Sequence, residues 1–146
     1  MTQPSPYAPP KSSLTAPQAQ VTDEQIAALE VSDTWKKRFS ALNRAGGPKM
    51  PNLKQLSKAE RRQIGIFNIL AFLFGPLYYI AKGMWRKALS LFAVCAAVAI
   101  AVGLVMEHFG YGEFTRALSY GLAAVFAARA NIDYYKKMLL NDNGWW

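Results

Sequence analysis

Polar and hydrophobic positions are unevenly distributed along this chain. Up to residue 63, apolar residues fill about a third of positions, scattered or at helical spacing; beyond it they fill about two thirds and run in blocks. Three blocks stand out. Residues 64–81 are interrupted by Gly75 and Pro76, the run from Ala88 to Met106 contains no charge, and 114–128 is apolar apart from Arg116. As a helix the second block is about 28 Å long, close to the hydrocarbon thickness of a bilayer. The third reaches a similar length as a helix over 113–135, with Glu113, Arg116, Arg129 and Asp133 near its ends, where long side chains reach the interface. The short link from His108 to Gly112 predicts that these two helices form an antiparallel hairpin.

The polar half predicts short helices. Thr22 with Gln25, and Ser57 with Glu60, are capping boxes. Trp35, Phe39 and Leu42 stand at i, i+4, i+7, one helix face, and Gly46-Gly47-Pro48 ends that helix. Helices are expected over 23–30 and 33–45, with a linker over 48–57. The Pro-rich residues 1–21 are too poor in apolar groups to repay ordering and are expected to be a disordered tail. No apolar run follows Met1, so no signal peptide is expected and the start of the chain should stay in the cytoplasm.

The fold class expected is an all-α integral membrane protein. A cytoplasmic helical segment and linker (22–63) precede a membrane domain (64–137), and a C-terminal tail (138–146) follows. The membrane domain comprises a broken hydrophobic segment (64–83) and transmembrane helices over 88–106 and 113–135.

The first block decides the topology. Pro76 has no N–H to continue a helix, and Gly75 before it is biased away from helix. A helix over 64–74 is about 16 Å long, half the hydrocarbon core. A segment that enters and returns keeps every basic residue except Arg116 on the cytoplasmic side, as the positive-inside rule favours. A Pro-kinked spanning helix is the alternative. Asn68 and Asn131 are amides placed to satisfy a broken backbone at depth, and Pro76 is expected to determine the break. Ala93, Ala97 and Ala101, and Ala117 and Gly121, repeat every four residues. Small residues at this spacing suit close helix packing, within the hairpin or in a homo-oligomer.

The net charge of +8 does not need a nucleic-acid partner, because no recognition module accompanies it and the membrane topology accounts for it. Trp35, Lys36, Lys37, Arg38, Phe39 and Leu42 are the expected surface for a protein partner or for the anionic headgroups of a lipid bilayer. The alternative makes Trp35 and Phe39 the core of a small helix pair. One Cys and one His exclude a disulfide framework and a multi-cysteine zinc site. Cys95 has no ionisable neighbour to activate it. No catalytic residue, cofactor or metal is expected. A non-enzymatic scaffold or partner-binding membrane protein is the first functional expectation, and an oligomeric pore or transport accessory is the alternative.

The run from Phe67 through Asn68, Phe72, Phe74, Gly75 and Pro76 to Tyr78, followed by Gly83-Met84-Trp85-Arg86-Lys87-Ala88-Leu89, resembles a family of small bacterial inner-membrane proteins catalogued as domain of unknown function 2628. Ala130-Asn131-Ile132-Asp133-Tyr134-Tyr135 is similar to the family as well. The resemblance covers about residues 35–137. Ile69 and Tyr78 stand where members often carry Trp. It implies a bacterial inner-membrane location and no assigned activity.

Overall fold

The Thr22 hydroxyl accepts a hydrogen bond from the Gln25 N–H at 3.2 Å, and the Gln25 side chain accepts one from the Thr22 N–H at 3.0 Å. This reciprocal pair satisfies donors that have no partner inside a helix, and it opens α1 (Asp23–Ala27). Ser57 and Glu60 form the same arrangement at the start of α3 (Lys58–Ile64). Between them lies α2 (Asp33–Arg44), after which Gly46 takes a left-handed conformation. The structure, a computed structural model, describes residues 21–146. All of the expected N-terminal tail except Val21 lies outside the described residues. The linker is more ordered than expected, with 3₁₀ turns at Gly47–Lys49 and Leu53–Gln55.

The hydrophobic half continues as α4 (Ile69–Phe74), α5 (Pro76–Ala81), α6 (Trp85–His108), a 3₁₀ turn at Gly112–Phe114, and α7 (Thr115–Leu139). Among the described residues every regular element is helical, with no strand. Lys87 in the first turn of α6 meets Asp133 near the end of α7, so these two long helices run antiparallel. Helix α4 packs on α7 and α5 packs on α6. Among the described helices, α6 alone is long and apolar enough to cross a membrane.

Helix α2 lies against the end of α7. The Trp35 ring meets Tyr134 edge-on at 4.7 Å, and Phe39 meets Tyr134 and Tyr135 at 5.7 and 5.8 Å. Tyr135 donates to the Asn43 side chain at 3.2 Å, which in turn donates to the Val21 carbonyl at 2.7 Å. Phe39 and Leu42 are fully buried, each such burial stabilising by about 1.5–3 kcal/mol. They are core residues and do not belong to the exposed face expected of them. The core is larger than a helix pair, because α7 packs its Tyr134 and Tyr135 rings into it.

The small-residue stripes do not pack within the hairpin, the first of the two uses expected of them. Ala93, Ala97 and Ala101 on α6, and Ala117 and Gly121 on α7, are all exposed. The buried face of α6 carries Ala88, Leu91 and Cys95, and that of α7 carries Phe126, Ala127 and Ala130. Four-residue repeats of Ala occur on several faces of an Ala-rich helix, so spacing alone does not select the packed one. The C-terminal residues also pack. Lys87 donates to the Asp142 carbonyl at 3.0 Å, Asn143 to the Gly83 carbonyl at 3.3 Å, and the Trp145 ring lies 5.8 Å from Trp85.

Candidate functional site: a buried polar cluster and a cationic groove

The broken segment doubles back. It leaves α3 at Gly65, whose carbonyl accepts a hydrogen bond from the Asn131 amide of α7. It ends at Lys82, whose carbonyl accepts from Lys137 of α7 at 2.5 Å. Both ends of the segment therefore meet the same end of α7. The reversal lies at Gly75, with φ +49 and ψ −122, a combination that glycine reaches without a Cβ penalty. Pro76 is the first residue of α5, where its missing N–H is no loss. Glycine geometry makes the break, and Pro76 starts the return helix.

Asn68 holds the reversal together. Its side-chain oxygen accepts from the Leu70 and Ala71 N–H groups, both at 3.1 Å, and so caps α4. Its side-chain amide donates to Asn131 at 2.8 Å and to the Tyr78 hydroxyl at 2.9 Å. Its backbone N–H donates to the Ala127 carbonyl at 3.1 Å, which ties the start of α4 directly to the backbone of α7. Asn131 also accepts from Arg38 of α2 at 3.3 Å. The two asparagines expected at the break are thus brought together, and they join it to the α2 layer.

A second cluster lies deeper between α5, α6 and α7. Lys87 and Asp133 are both buried, with Nζ and Oδ1 3.8 Å apart. Asp133 also meets Arg129 at 3.5 Å and the Tyr79 hydroxyl at 3.2 Å. Lys87 reaches the Asp142 carboxylate at 3.7 Å, and Lys136 reaches it at 3.8 Å. A hydrogen bond from the Gly144 N–H, followed by these two cations, holds Asp142 below the ordinary carboxylate value. Sequence reasoning missed this cluster. Asp133 one turn after Arg129 in an apolar helix was the available signal, and a buried acid requires a partner.

On the outer side of Asn68, a groove of about 250 Å³ is lined by Trp35, Arg38, Asn68, Tyr78 and Lys82, with Phe67, Ile69 and Leu70 at its apolar lip. The Arg38 guanidinium lies 4.6 Å from the Trp35 ring centre, and Lys82 Nζ lies 5.1 Å from it and 4.8 Å from that of Tyr134. Burial lowers the basicity of Arg38 and Lys82, and Lys137 and Arg38 lower that of Lys82 further. Trp35 and Arg38 thus line a groove, while Lys37 lies exposed on α2. Lys36 lies partly buried beside α1 and donates to the Ala27 carbonyl at 2.7 Å. Cys95 is buried. Among the described residues, no group of three His, Cys, Asp or Glu side chains is placed to hold a metal ion.

These features define a small helical chain built around a doubled-back apolar segment and a buried polar cluster. Residues 23–139 match the model of a family described as protein of unknown function (DUF2628), and the chain belongs to that family. It is similar to the uncharacterized protein YigF of Salmonella typhimurium and to that of Salmonella typhi. Each is 30% identical over 122 residues, covering 79% of this chain and 90% of the relative. No solved structure matches the chain.

Proposed function

We propose that this is a non-enzymatic protein of the bacterial inner membrane whose cytoplasmic cap docks a protein partner. In this reading α6 and α7 cross the bilayer as a hairpin. The α4–α5 segment enters from the cytoplasmic side and returns to it. Helices α1–α3 and the residues after α7 lie in the cytoplasm.

The observation that carries the membrane reading is the outward apolar surface. Leu89, Phe92, Val98, Ile100, Leu104 and Val105 of α6 are exposed, and so are Ile69, Leu73, Phe74, Leu77 and Ile80 at the doubled-back segment. Soluble monomers rarely leave contiguous apolar patches of more than a few hundred Å² in water. A bilayer covers such a surface. Helix α7 is more polar: Arg116 lies in its first turn, where its side chain can reach headgroups, and Arg129, ten residues before its end, is paired with Asp133 at 3.5 Å. Basic residues other than Arg116 then fall on the cytoplasmic side.

The cap supports the docking reading. Lys36, Lys37 and Arg44, with Asp23, Ile26 and Gln63, line a cleft of about 300 Å³, and its excess of cations over the one carboxylate suits an acidic segment of a partner protein. Photo-cross-linking in cells from Lys37, which is exposed, tests this. A discrete protein adduct that disappears on charge reversal at Lys36 and Arg44, which line the same cleft, is expected. No adduct from membrane-inserted protein, together with dye leakage from liposomes containing the pure chain, would replace this reading with a pore.

A further inference from the structure

We propose that the groove beside Asn68 is a binding site for one anionic phospholipid, with the headgroup phosphate between Arg38 and Lys82 and an acyl chain along Phe67, Ile69 and Leu70. This rests on the membrane reading above and deepens it by giving the bilayer a specific contact on the protein.

Charge is the first reason. Among the described residues, two cations line the groove and no carboxylate does. Arg38 and Lys82 both lie over the Trp35 ring, and the Lys137 ammonium approaches from α7 to hydrogen-bond the Lys82 carbonyl. Cations gathered in this way repel one another, and an anion between them removes that cost. The second reason is an unmet hydrogen bond. Arg38 Nη1 is used by Asn131, and Arg38 Nε, buried beside Gly65, has no hydrogen-bond partner among the described residues and meets a phosphate in the groove only if the guanidinium turns outward. A guanidinium presents several donors in a fixed plane and pairs with phosphate through two of them.

The third reason is position. Phe67, Ile69 and Leu70 are each at least half exposed and line the same groove as the two cations. A free phosphate uses only the polar floor. A phospholipid uses both the floor and the lip, and the groove lies where the doubled-back segment leaves and re-enters the cytoplasmic boundary.

The test is native mass spectrometry of the full chain in neutral detergent. The chain is titrated with short-chain phosphatidylglycerol, with phosphatidylcholine of the same chain length, and with inorganic phosphate. Both lipids carry the phosphodiester, but the choline of phosphatidylcholine adds a cation beside Arg38 and Lys82, so phosphatidylglycerol is expected to bind about tenfold more tightly, and more tightly than inorganic phosphate. Lys82→Gln and Arg38→Gln are each expected to remove that preference. The paired change Lys54→Gln and Lys58→Gln, at exposed positions outside the groove, is expected to leave it intact. Arg38→Gln also loses the bond to Asn131, and Lys82→Gln loses contacts with the Trp35 and Tyr134 rings, so thermal unfolding of each variant is measured beside its lipid binding and unchanged unfolding with lost preference assigns the loss to binding.

Equal binding of the two lipids overturns the proposal, as does an undiminished preference in Lys82→Gln. Binding of inorganic phosphate as tight as that of phosphatidylglycerol assigns the groove to a free anion and overturns it too. Membrane fractionation of the same protein separates the two levels. Recovery in the soluble fraction contradicts the membrane reading and the lipid site with it. Recovery in the membrane without lipid preference contradicts the lipid site alone.

Discussion

Asn68 and Asn131 stand 63 positions apart in the chain and are joined side chain to side chain at 2.8 Å. Asn68 caps α4 and Asn131 holds the Gly65 carbonyl, so this one bond links the entry of the doubled-back segment to α7. Removing either amide leaves buried groups without partners. Asn68→Ala and Asn131→Ala are each expected to destabilise the fold by about 2 kcal/mol, from a lost cap or an unsatisfied buried group. The double variant should lose less than the two losses added, because the two share a bond. Thermal unfolding in one detergent checks this, and strict additivity would count against a shared network.

Gly75 and Pro76 contribute differently to the reversal. Gly75→Ala forces a Cβ into φ +49, ψ −122, at a cost of about 1–3 kcal/mol. Pro76→Ala at the first position of α5 should cost less than about 1 kcal/mol. The same unfolding assay compares them. A larger loss for Pro76→Ala would return the break to proline.

Lys87 and Asp133 are a buried pair, and without Lys87 the Asp133 carboxylate keeps only Arg129 and the Tyr79 hydroxyl as partners. Lys87→Met is expected to destabilise by about 3 kcal/mol, the range for breaking such pairs. Combining Lys87→Met with Asp133→Leu should recover part of that loss, since no buried charge then remains and the partners left over, Arg129 and Asp142, are partly exposed. If the double variant is no more stable than the single one, the pairing does not govern this core.

Asp142 makes the C-terminal clasp sensitive to acid. Its folded-state pKa is depressed below the ordinary 3.8 by the Gly144 N–H and by Lys87 and Lys136. A depressed carboxylate contributes stability above its unfolded pKa and loses it as pH falls through the folded value. The stability difference between the wild-type chain and Asp142→Asn should be present at neutral pH and shrink below pH 3.8. A difference unchanged across that window would remove Asp142 from the clasp.

Local chemistry was the part of the fold legible in the sequence. Both capping boxes depend on residues three apart, and both form where Thr22 and Ser57 place them. The charge-free run from Ala88 to Met106 lies inside α6, and the break falls at Gly75. Long-range partners were not legible. Nothing in local spacing joins Lys87 to Asp133, or selects Leu91 and Cys95 over the Ala93 stripe as the buried face of α6. Lys82 and Lys87 read alike as cations of one loop, yet one lines a groove and the other is buried. The asparagines were legible because an amide beside a broken apolar helix has few other uses.

If the segment between α3 and α6 returns to the cytoplasmic side from which it enters, Arg86 lies on that side of the membrane and Gly112 on the other. Both residues are exposed. In a Cys95→Ala background, Arg86→Cys and Gly112→Cys are labelled in intact cells with an impermeant thiol reagent and again after permeabilisation. A returning segment predicts that Gly112→Cys labels in intact cells and that Arg86→Cys labels only once the membrane is opened. Labelling of Arg86→Cys from outside, with Gly112→Cys protected, would contradict it.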